Sequence, residues 1–392
     1  MPDLHIVADA NIPCVDAAFG HLGTIERFQG RDIGPATVAT ADVLLVRSVT
    51  PVGPSLLDDS PVRFVGSATI GVDHVDRPYL EEQGIAFAHA PASNADSVAD
   101  YVTAALLLLA RQHEVRLEGQ TVGVVGCGNV GGRVARRLSA LGLSVLPNDP
   151  PLARAAEADG RSHGYVSLDA VLDESDIVTT HVPLTTDGPD PTHHLIDEAA
   201  LDQLQPGAWL LNTARGPVVD NAALLQAIES GSVGAAVLDV WENEPTPDPA
   251  LVEAVDVATP HIAGYAYDGK VRGTTMLYTA LCEHLDIHPE WDPATVLEPE
   301  EPGTLRCQAP DARLPRPDWL HHLARQAYDL RADDERMREI LDRPPSEQGT
   351  YFSHLRATYP IRREMQKHTV PKAAVPEDRR ALVEEGLTMQ WR

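Results

Sequence analysis

Short apolar runs alternate with polar connections over residues 1–95. Four of these runs, LHIVAD, VLLVRS, VRFVGSA and IAFAHA, have the length and composition of buried strands. Strands that alternate with crossover segments favour a parallel sheet covered by helices. The pattern changes at DSVADYVTAALLLLAR, residues 96–111, where the apolar positions continue long enough to predict a buried helix.

A second series of strand-like units follows this helix. The stretch TVGVVGCGNVGGRVARRLSALGLSVLPND predicts a strand, a glycine turn, an amphipathic helix and a further strand. The runs DIVTTHVPL, AWLLNTARG, GAAVLDVW and VDVATPHIAG continue the series. This spacing predicts an α/β fold with a doubly wound parallel sheet.

The C-terminal quarter of the chain differs in composition. Residues 289–317 contain seven prolines, which predicts a linker or an irregular arm, and DWLHHLARQAYDLRADDERMREIL beyond them has helical spacing. Residues 289–392 hold 16 of the 31 basic and 19 of the 58 acidic residues, so their net charge is −3 against −24 for the remainder. The tail is therefore a compositionally distinct part of the chain.

The formal net charge of −27 over 392 residues limits the kinds of partner. A field of this sign repels nucleic acid and anionic membranes, so we expect neither as a partner. Only three of the basic residues are lysines. An acidic, lysine-poor surface also fits a salt-rich cytosol, where ions screen the self-repulsion.

Three further features indicate a cytoplasmic protein. The start MPDLHIVADA lacks the basic and apolar regions of a signal peptide. The longest apolar run, residues 101–110, is about half the length of a membrane span. The four cysteines lie far apart, which suggests neither a disulfide framework nor a zinc site. They are Cys14, Cys127, Cys282 and Cys307.

Gly126, Gly128 and Gly131 form a G-x-G-x-x-G motif between the strand TVGVV and the helix GGRVARRLSAL. In this context the first glycine allows a tight turn and the second lets the backbone approach a pyrophosphate, whose charge the helix N-terminus stabilises. Asn129 and Val130 would offer backbone contacts to the same phosphates. The alternative is an ordinary αβ turn without a ligand.

Asp149 ends the next predicted strand, 21 residues after Gly128. A carboxylate at that position accepts hydrogen bonds from the adenosine ribose and repels a 2′-phosphate. Two prolines follow Asp149, and the nearest arginine is Arg154. We therefore expect the cofactor to be NAD and not NADP.

Arg215, Glu244 and His261 each fall at or just after the end of an apolar run, where open α/β sheets bind ligands. An arginine can grip a carboxylate bidentately, and a histidine can move a proton near neutral pH. A nearby glutamate would stabilise the imidazolium and hold one tautomer. Any one of the three could be an ordinary surface or core residue, but the joint pattern favours a catalytic site.

The chain resembles the D-isomer-specific 2-hydroxyacid dehydrogenases over about residues 1–285. The motifs VGVVGCGNVGGRVARRL, HVPLT, LLNTARGPVVD and VLDVWENEP follow that superfamily's order and spacing. The resemblance implies that Arg215, Glu244 and His261 are catalytic, with His261 accepting the proton when the substrate is oxidised. It also implies a discontinuous flavodoxin-like substrate domain, residues 1–95 and 262–288, and a Rossmann NAD-binding domain, residues 96–261.

The sequence after His261 departs from the common H-I-G-G-x-T form, because Ala263, Gly264 and Tyr265 follow. This variant, with VRSVT at 46–50, GSATIGVDHVD at 66–76 and the extra tail, resembles the superfamily members that oxidise 4-phospho-D-erythronate in vitamin B6 biosynthesis. The tail resemblance rests mainly on AYDLRADDERMR and FSHLRATYPIRRE, and it implies that residues 289–392 form an α+β domain through which a homodimer assembles.

That resemblance also implies the remaining site residues. Ser48, Thr69 and Tyr265 would contact the substrate. Contacts to NAD would come from Asp149, Val182, Thr213, Ala214, Asp239 and Gly264. Val182 stands where threonine is common, so a side-chain hydrogen bond to the cofactor is lost while a backbone contact can persist.

Arg47 directly follows the run VLLV in a region with few arginines. A phosphorylated substrate needs a local basic pocket in so acidic a chain, and a guanidinium suits phosphate oxygens. Arg47 is thus a candidate for binding the phosphate beside Ser48 and Thr69, or else a surface arginine. The alternative source is a C-terminal arginine of a partner chain, such as Arg356 or Arg362.

Several other interpretations remain open at this stage. His193 and His194 are adjacent, but no carboxylate spacing supports a metal site there, and none is expected. His181 fits a strand-end residue near the cofactor better than a catalyst. The whole chain could instead oxidise another D-2-hydroxyacid such as 3-phosphoglycerate, or it could be a non-enzymatic NAD(H)-sensing scaffold.

Overall fold

The computed structural model describes residues 3–297 and 305–392. The chain divides into two compact units, Met1–Asn94 with Ala266–Glu301, and Ala95–Tyr265 with Pro302–Arg392. The C-terminal residues thus pack as part of the second unit. The division into three domains remains a prediction, and the proline-rich linker proposed for 289–317 falls partly on residues 298–304, outside the described ranges.

The first unit is built on a five-stranded parallel sheet with the order β2-β1-β3-β4-β5. Its strands are β1 (Leu4–Asp9), β2 (Gly23–Phe28), β3 (Val43–Val46), β4 (Phe64–Ser67) and β5 (Ala86–His89). Its helices are α1 (Val15–Phe19), α2 (Pro35–Val38), α3 (Pro54–Leu57), α4 (Arg77–Glu82), α12 (Tyr267–His284) and α13 (Ala294–Leu297). Apolar clusters cover both faces of this sheet, as parallel sheets require.

The second unit contains a six-stranded parallel sheet with the order β11-β10-β9-β8-β6-β7. Its strands are β6 (Thr121–Val125), β7 (Ser144–Asn148), β8 (Ile177–Thr180), β9 (Ala208–Asn212), β10 (Val233–Leu238) and β11 (Val257–Ala258). The helices before residue 302 are α5 (Ala95–Gln112), α6 (Gly131–Ala140), α7 (Pro150–Ala158), α8 (Leu168–Glu174), α9 (Glu198–Gln203), α10 (Asn221–Ser230) and α11 (Pro249–Ala254).

The C-terminal segment adds α14 (Arg316–Ala327), α15 (Leu330–Arg338), α16 (Pro345–Ala357) and a small parallel pair, β12 (Thr369–Val370) with β13 (Gln390–Trp391). Helix α14 packs on α5, and α15 packs on α5 and β11. Trp319 and Leu323 of α14 are fully buried in the same cluster as the leucines of α5. The continuous apolar run of α5 is therefore buried between the sheet and the C-terminal segment.

The predicted fold class is confirmed: both sheets are parallel, helices cover them, and the C-terminal region is mainly helical. The predicted strands and the predicted helix at 96–111 are present. The helical stretch at 318–341 is divided into α14 and α15, because Tyr328 adopts an extended conformation between them. Its hydroxyl donates to Asp333 Oδ2 at 2.9 Å, which fixes this break.

Candidate active site

Arg215, Glu244 and His261 follow three strands that are neighbours in the second sheet. Arg215 comes three residues after β9, Glu244 six residues after β10 and His261 three residues after β11. The order β11-β10-β9 places the carboxyl ends of these parallel strands along one edge. The structure therefore brings the three predicted catalytic positions to the same side of the sheet, where ligands bind in this architecture.

His261 and Glu244 form a hydrogen-bonded pair. His261 Nδ1 donates to Glu244 Oε2 at 2.8 Å, and Glu244 Oε1 accepts the backbone N–H of Trp241 at 3.1 Å. Both carboxylate oxygens are thus engaged. Within the described residues Nε2 of His261 has no hydrogen-bond partner, so it is the nitrogen that can meet a substrate.

The electrostatics of Glu244 keep it ionised. Burial by itself would raise the pKa of this carboxyl. The charge of His261, the hydrogen bond from it and the charge of Arg356 outweigh burial and hold the pKa below its ordinary value. A permanently charged carboxylate at this distance stabilises a positive imidazole ring.

Asp239 fixes the backbone that carries His261. Its carboxylate is 1% exposed and accepts the N–H groups of Ile262 at 2.7 Å and Ala263 at 2.9 Å, together with the hydroxyl of Thr259 at 2.7 Å. The His261 amide donates to the Asp239 carbonyl at 2.7 Å. These bonds hold His261 at a φ of 58°, a left-handed conformation uncommon for a side chain other than glycine. Sequence reasoning assigned Asp239 to the cofactor and missed this role.

Arg215 extends from the loop after β9 with a φ of −141° and a ψ of 143°. Its Nη1 donates to the Ala214 carbonyl at 2.8 Å, and the Asn212 side chain donates to the Arg215 carbonyl at 2.8 Å. Asn212 is fully buried, so it anchors the loop to the sheet. The Arg215 side chain is half-buried, and the neighbouring backbone holds one of its guanidinium nitrogens.

The glycine motif lies between β6 and α6, as predicted. Gly126 has a φ of +88°, and a Cβ there would lie 2.8 Å from the backbone of His181. At Gly131 a Cβ would lie 1.8 Å from the Gly126 carbonyl oxygen. A Cβ on Gly128 would have no atom within 4 Å. The turn is thus tight where the chain packs on itself and open at Gly128, which fits a diphosphate cradled by the backbone and the start of α6.

Asp149 caps helix α7 and braces the glycine turn. Its Oδ1 accepts the Leu152 N–H at 3.0 Å and its Oδ2 accepts the Cys127 N–H at 2.8 Å. The side chain is half-buried at the carboxyl end of β7. It therefore lies beside the glycine motif, although its contact with a ribose stays a prediction.

The other residues assigned to the cofactor lie after β8 and β9. Val182 lies next to the turn, since its Cγ1 would be 2.8 Å from a Cβ on Gly126. Thr213 Oγ1 is 3.2 Å from Nδ1 of His181, whose Nε2 lies 3.0 Å from Thr179 Oγ1. Burial lowers the pKa of His181 to about 3, so this ring stays neutral. That matches a strand-end residue and not a proton carrier. Ala214 and Gly264 belong to the loops of Arg215 and His261.

Ser48 and Thr69 lie in the first unit, each two residues beyond the end of a strand. The strands are β3 and β4, which pair with Val46 opposite Ser67. Thr69 Oγ1 donates to the Gly71 carbonyl at 2.9 Å and lies 2.6 Å from Ser67 Oγ. Arg47 is half-buried directly after β3, and its carbonyl accepts the Thr50 N–H at 3.2 Å. The three predicted substrate residues share one edge of this sheet.

Tyr265 contacts the C-terminal segment of its own chain. Its hydroxyl accepts a hydrogen bond from Arg356 Nε at 3.2 Å, and its ring packs edge-on against Tyr359 with centroids 5.8 Å apart. Arg362 Nη2 donates to the Ala263 carbonyl at 2.7 Å, and its guanidinium lies 3.9 Å above the Tyr328 ring. Both arginines thus reach the loop after His261 within one chain. Sequence reasoning considered them only as residues of a partner chain, because nothing local marks a contact across 91 residues.

The adjacent histidines His193 and His194 have a structural explanation. Their rings stack with centroids 4.2 Å apart, and His194 Nε2 lies 2.7 Å from Glu242 Oε1. Among the described residues there is no group of three or more His, Cys, Asp or Glu side chains that could hold a metal ion. In those residues no helix is long and apolar enough to span a membrane.

Known proteins resemble this chain over its whole length. The family described as D-isomer specific 2-hydroxyacid dehydrogenase, NAD binding domain, matches residues 90–263, and a domain of unknown function (DUF3410) matches residues 312–384. The erythronate-4-phosphate dehydrogenase of Salinibacter ruber is 63% identical over 390 residues, 100% of each chain. That of Cellvibrio japonicus is 46% identical over 379 residues, 95% of this chain and 96% of its own.

Solved structures agree with these matches. The D-lactate dehydrogenase of Aquifex aeolicus, in complex with NAD and lactic acid, is 26% identical with a TM-score of 0.61. It covers 72% of this chain and 95% of its own. The chain therefore belongs to the D-isomer specific 2-hydroxyacid dehydrogenases, among the erythronate-4-phosphate dehydrogenases, which confirms the family and the NAD cofactor predicted from its motifs.

Proposed function

We propose that this chain oxidises 4-phospho-D-erythronate at its 2-hydroxyl to (R)-3-hydroxy-2-oxo-4-phosphobutanoate, as a step of vitamin B6 biosynthesis. The observation that carries the proposal is the His261–Glu244 pair, 2.8 Å apart, at the same sheet edge as Arg215. The 63% identity over the full length to an erythronate-4-phosphate dehydrogenase supports the choice of substrate.

The proton of the 2-hydroxyl goes to Nε2 of His261. Nδ1 is already engaged by Glu244, so the ring accepts the proton on the other nitrogen and becomes positively charged. The ionised Glu244 stabilises that charge. When bound, NAD accepts the hydride that leaves C2, so the alcohol loses one proton and one hydride and becomes a ketone.

Arg215 binds the substrate carboxylate and polarises the developing carbonyl oxygen. Its planar guanidinium can donate two parallel hydrogen bonds to a carboxylate, which orients C2. In the first unit Arg47, Ser48 and Thr69 offer a guanidinium and two hydroxyls at one sheet edge. Tyr265 adds a phenol. We propose these groups as substrate contacts, because guanidinium and hydroxyl groups donate hydrogen bonds to anionic oxygens.

The glycine turn and its surroundings would hold NAD. The open side of Gly128 and the start of α6 suit the diphosphate, with backbone contacts from Asn129 and Val130. Asp149 would accept hydrogen bonds from the adenosine ribose. The loops after β8, β9 and β10 would supply the remaining contacts through Val182, Thr213, Ala214, Asp239 and Gly264.

Absorbance of NADH tests the substrate. The purified chain is given NAD and, separately, 4-phospho-D-erythronate, D-3-phosphoglycerate and D-lactate. We expect kcat/KM for 4-phospho-D-erythronate to exceed the others by at least about 100-fold. D-lactate lacks the charged phosphate contact, worth about 1.5–3 kcal/mol, and D-3-phosphoglycerate is one carbon too short to place its phosphate and C2 together. Preference for D-3-phosphoglycerate would replace the proposed substrate, and NAD binding without turnover of any of the three would favour a sensing scaffold.

We further propose a cytoplasmic homodimer that assembles through residues 289–392. Their net charge of −3 supports this, since two copies can approach there without the repulsion carried by the rest of the chain. Light scattering of the full chain should give twice the mass of 42.3 kDa. A monomeric wild type in that measurement would contradict the proposal.

A further inference from the structure

Arg356 is a half-buried cation that the catalytic assignments leave unused. It lies on the last turn of α16 and reaches Tyr265, to which its Nε donates at 3.2 Å. Its guanidinium carbon is 5.7 Å from the centre of the Tyr265 ring. The phenol and the ring hold the plane of the guanidinium in a fixed orientation.

The N–H groups on Nη1 and Nη2 of Arg356 are available to bind a ligand. In the residues that the structure describes, only Nε of this guanidinium has a hydrogen-bond acceptor. Nη1 and Nη2 together carry four more N–H groups on the edge that matches two oxygens of an anion.

The Glu244 carboxylate, which interacts with the charge of Arg356, does not satisfy its hydrogen-bond donors. The charge of Arg356 helps to lower the pKa of Glu244, so the two lie close enough to interact. Yet both oxygens of Glu244 already accept hydrogen bonds, from His261 Nδ1 and from the Trp241 amide. Arg356 therefore brings a positive charge beside the catalytic pair without being neutralised by direct hydrogen bonding.

The substrate chemistry supplies the missing anion. A 4-phosphorylated 2-hydroxy acid carries a carboxylate at one end, which the proposed function assigns to Arg215, and a phosphate at the other. A chain with a net charge of −27 repels such a multiply charged anion unless cations lie where its two charged ends bind. The phosphate end therefore needs a cation besides Arg215, and Arg47 and Arg356 are the two candidates.

We propose that Arg356 binds the phosphate of the substrate in the active site of its own chain. The inference rests on the proposed function, and it gives the C-terminal segment a direct part in substrate recognition. Tyr265 orients that guanidinium, in addition to the contact with the substrate proposed for its phenol.

Steady-state kinetics of the full chain test this assignment. The substrates are 4-phospho-D-erythronate and D-erythronate, which lacks the phosphate; D-erythronate is measured as a competitive inhibitor if it is not turned over. Arg356→Ala should raise KM for 4-phospho-D-erythronate by about 10- to 100-fold, since a lost charge-assisted contact has that size. The constant for D-erythronate and the dissociation constant of NAD should change less than about twofold.

A matched control removes a different arginine of the same segment. Arg325→Ala leaves the same net charge but deletes an exposed side chain that pairs with Asp329 on the surface of α14. In Arg325→Ala the KM for 4-phospho-D-erythronate and the constant for D-erythronate should both be unchanged. If Arg356→Ala does not fold, Arg356→Lys keeps the charge without the fork and should still show a selective rise in KM for the phosphorylated substrate.

Two results would overturn the proposal. Equal losses for both substrates would mean that Arg356 acts on Glu244 or on the loop of Tyr265. A selective loss with Arg47→Ala and none with Arg356→Ala or Arg356→Lys would place the phosphate at Arg47. A wild-type chain that does not turn over 4-phospho-D-erythronate would refute the proposed function itself, a failure seen before any variant is made.

Discussion

Replacing Asp239 by asparagine should destabilise the second unit and misplace His261, the proposed proton acceptor. The carboxylate is buried and accepts three hydrogen bonds, two on Oδ1 from Ile262 and Thr259 and one on Oδ2 from Ala263. An asparagine keeps only one acceptor oxygen. Its NH₂ group would face either the N–H of Ala263 or the two donors from Ile262 and Thr259.

The size of the effect follows from these three bonds. One buried donor left unsatisfied costs about 1–3 kcal/mol, and the two bonds that become neutral lose about 1 kcal/mol each. Burial raises the pKa of Asp239, which shows that the charged form is costly to bury, and the uncharged amide recovers part of that cost. We therefore expect a loss of about 3 kcal/mol in the free energy of unfolding. Because His261 follows on this loop, kcat should fall by at least about 100-fold.

Urea unfolding followed by tryptophan fluorescence measures the stability. Trp241 is buried and its Nε1 donates to the Thr259 carbonyl at 2.9 Å, so it reports on this loop. Asp248→Asn is the matched control, since it removes one charge at an exposed helix cap where asparagine serves equally well. A loss below about 1 kcal/mol with unchanged kcat would refute the structural role of Asp239.

Four further predictions concern catalysis, cofactor choice and solution conditions. His261→Ala should lower kcat by about 10²- to 10⁴-fold while NAD still binds in a fluorescence titration, and near wild-type turnover would contradict the proton-transfer role. Asp149→Ser keeps a cap for α7 but removes the charge, so the ratio of kcat/KM for NAD over NADP should fall; equal values in the wild type would show that Asp149 does not select the cofactor. The pKa of Glu244 is lower in the folded chain than its ordinary value, so its ionisation stabilises the second unit above about pH 4.3 and this contribution is lost as the pH falls through the folded value. The Tm of Glu244→Gln should therefore fall less than that of the wild type as the pH drops below about 4.3. Parallel curves of Tm against pH would contradict the lowered pKa of Glu244. Added potassium chloride should raise Tm because it screens repulsion within a chain of net charge −27, and a Tm that does not rise with salt would reject this reasoning.

The parts of the fold that the sequence predicts are those with strong periodicity. Strands β1, β3, β4 and β6 are nearly continuous apolar runs because both of their faces are buried. Strand β2, GTIERF, was not predicted. It lies at the edge of the first sheet with alternating half-buried and exposed residues, so its pattern resembles that of a connection.

The site was predictable as far as chain position determines it. A residue after the end of a parallel strand lies at the ligand-binding edge, which was enough to single out Arg215, Glu244 and His261. The hydrogen bonds of Asp239 to the loop at 259–263 depend on how strands β10 and β11 meet. The contact of Arg356 with Tyr265 depends on the packing of a helix 91 residues away. No local pattern encodes either.

The burial of α5 under the C-terminal segment has a consequence for synthesis on the ribosome. Fifteen of the 18 residues of α5 are buried in the finished chain, but α14, which covers part of it, is made some 200 residues later. Until then the growing chain exposes leucines that readily associate with other apolar surfaces. A product released before Ala327 should therefore aggregate or recruit chaperones, even though its complete six-stranded sheet has already been translated.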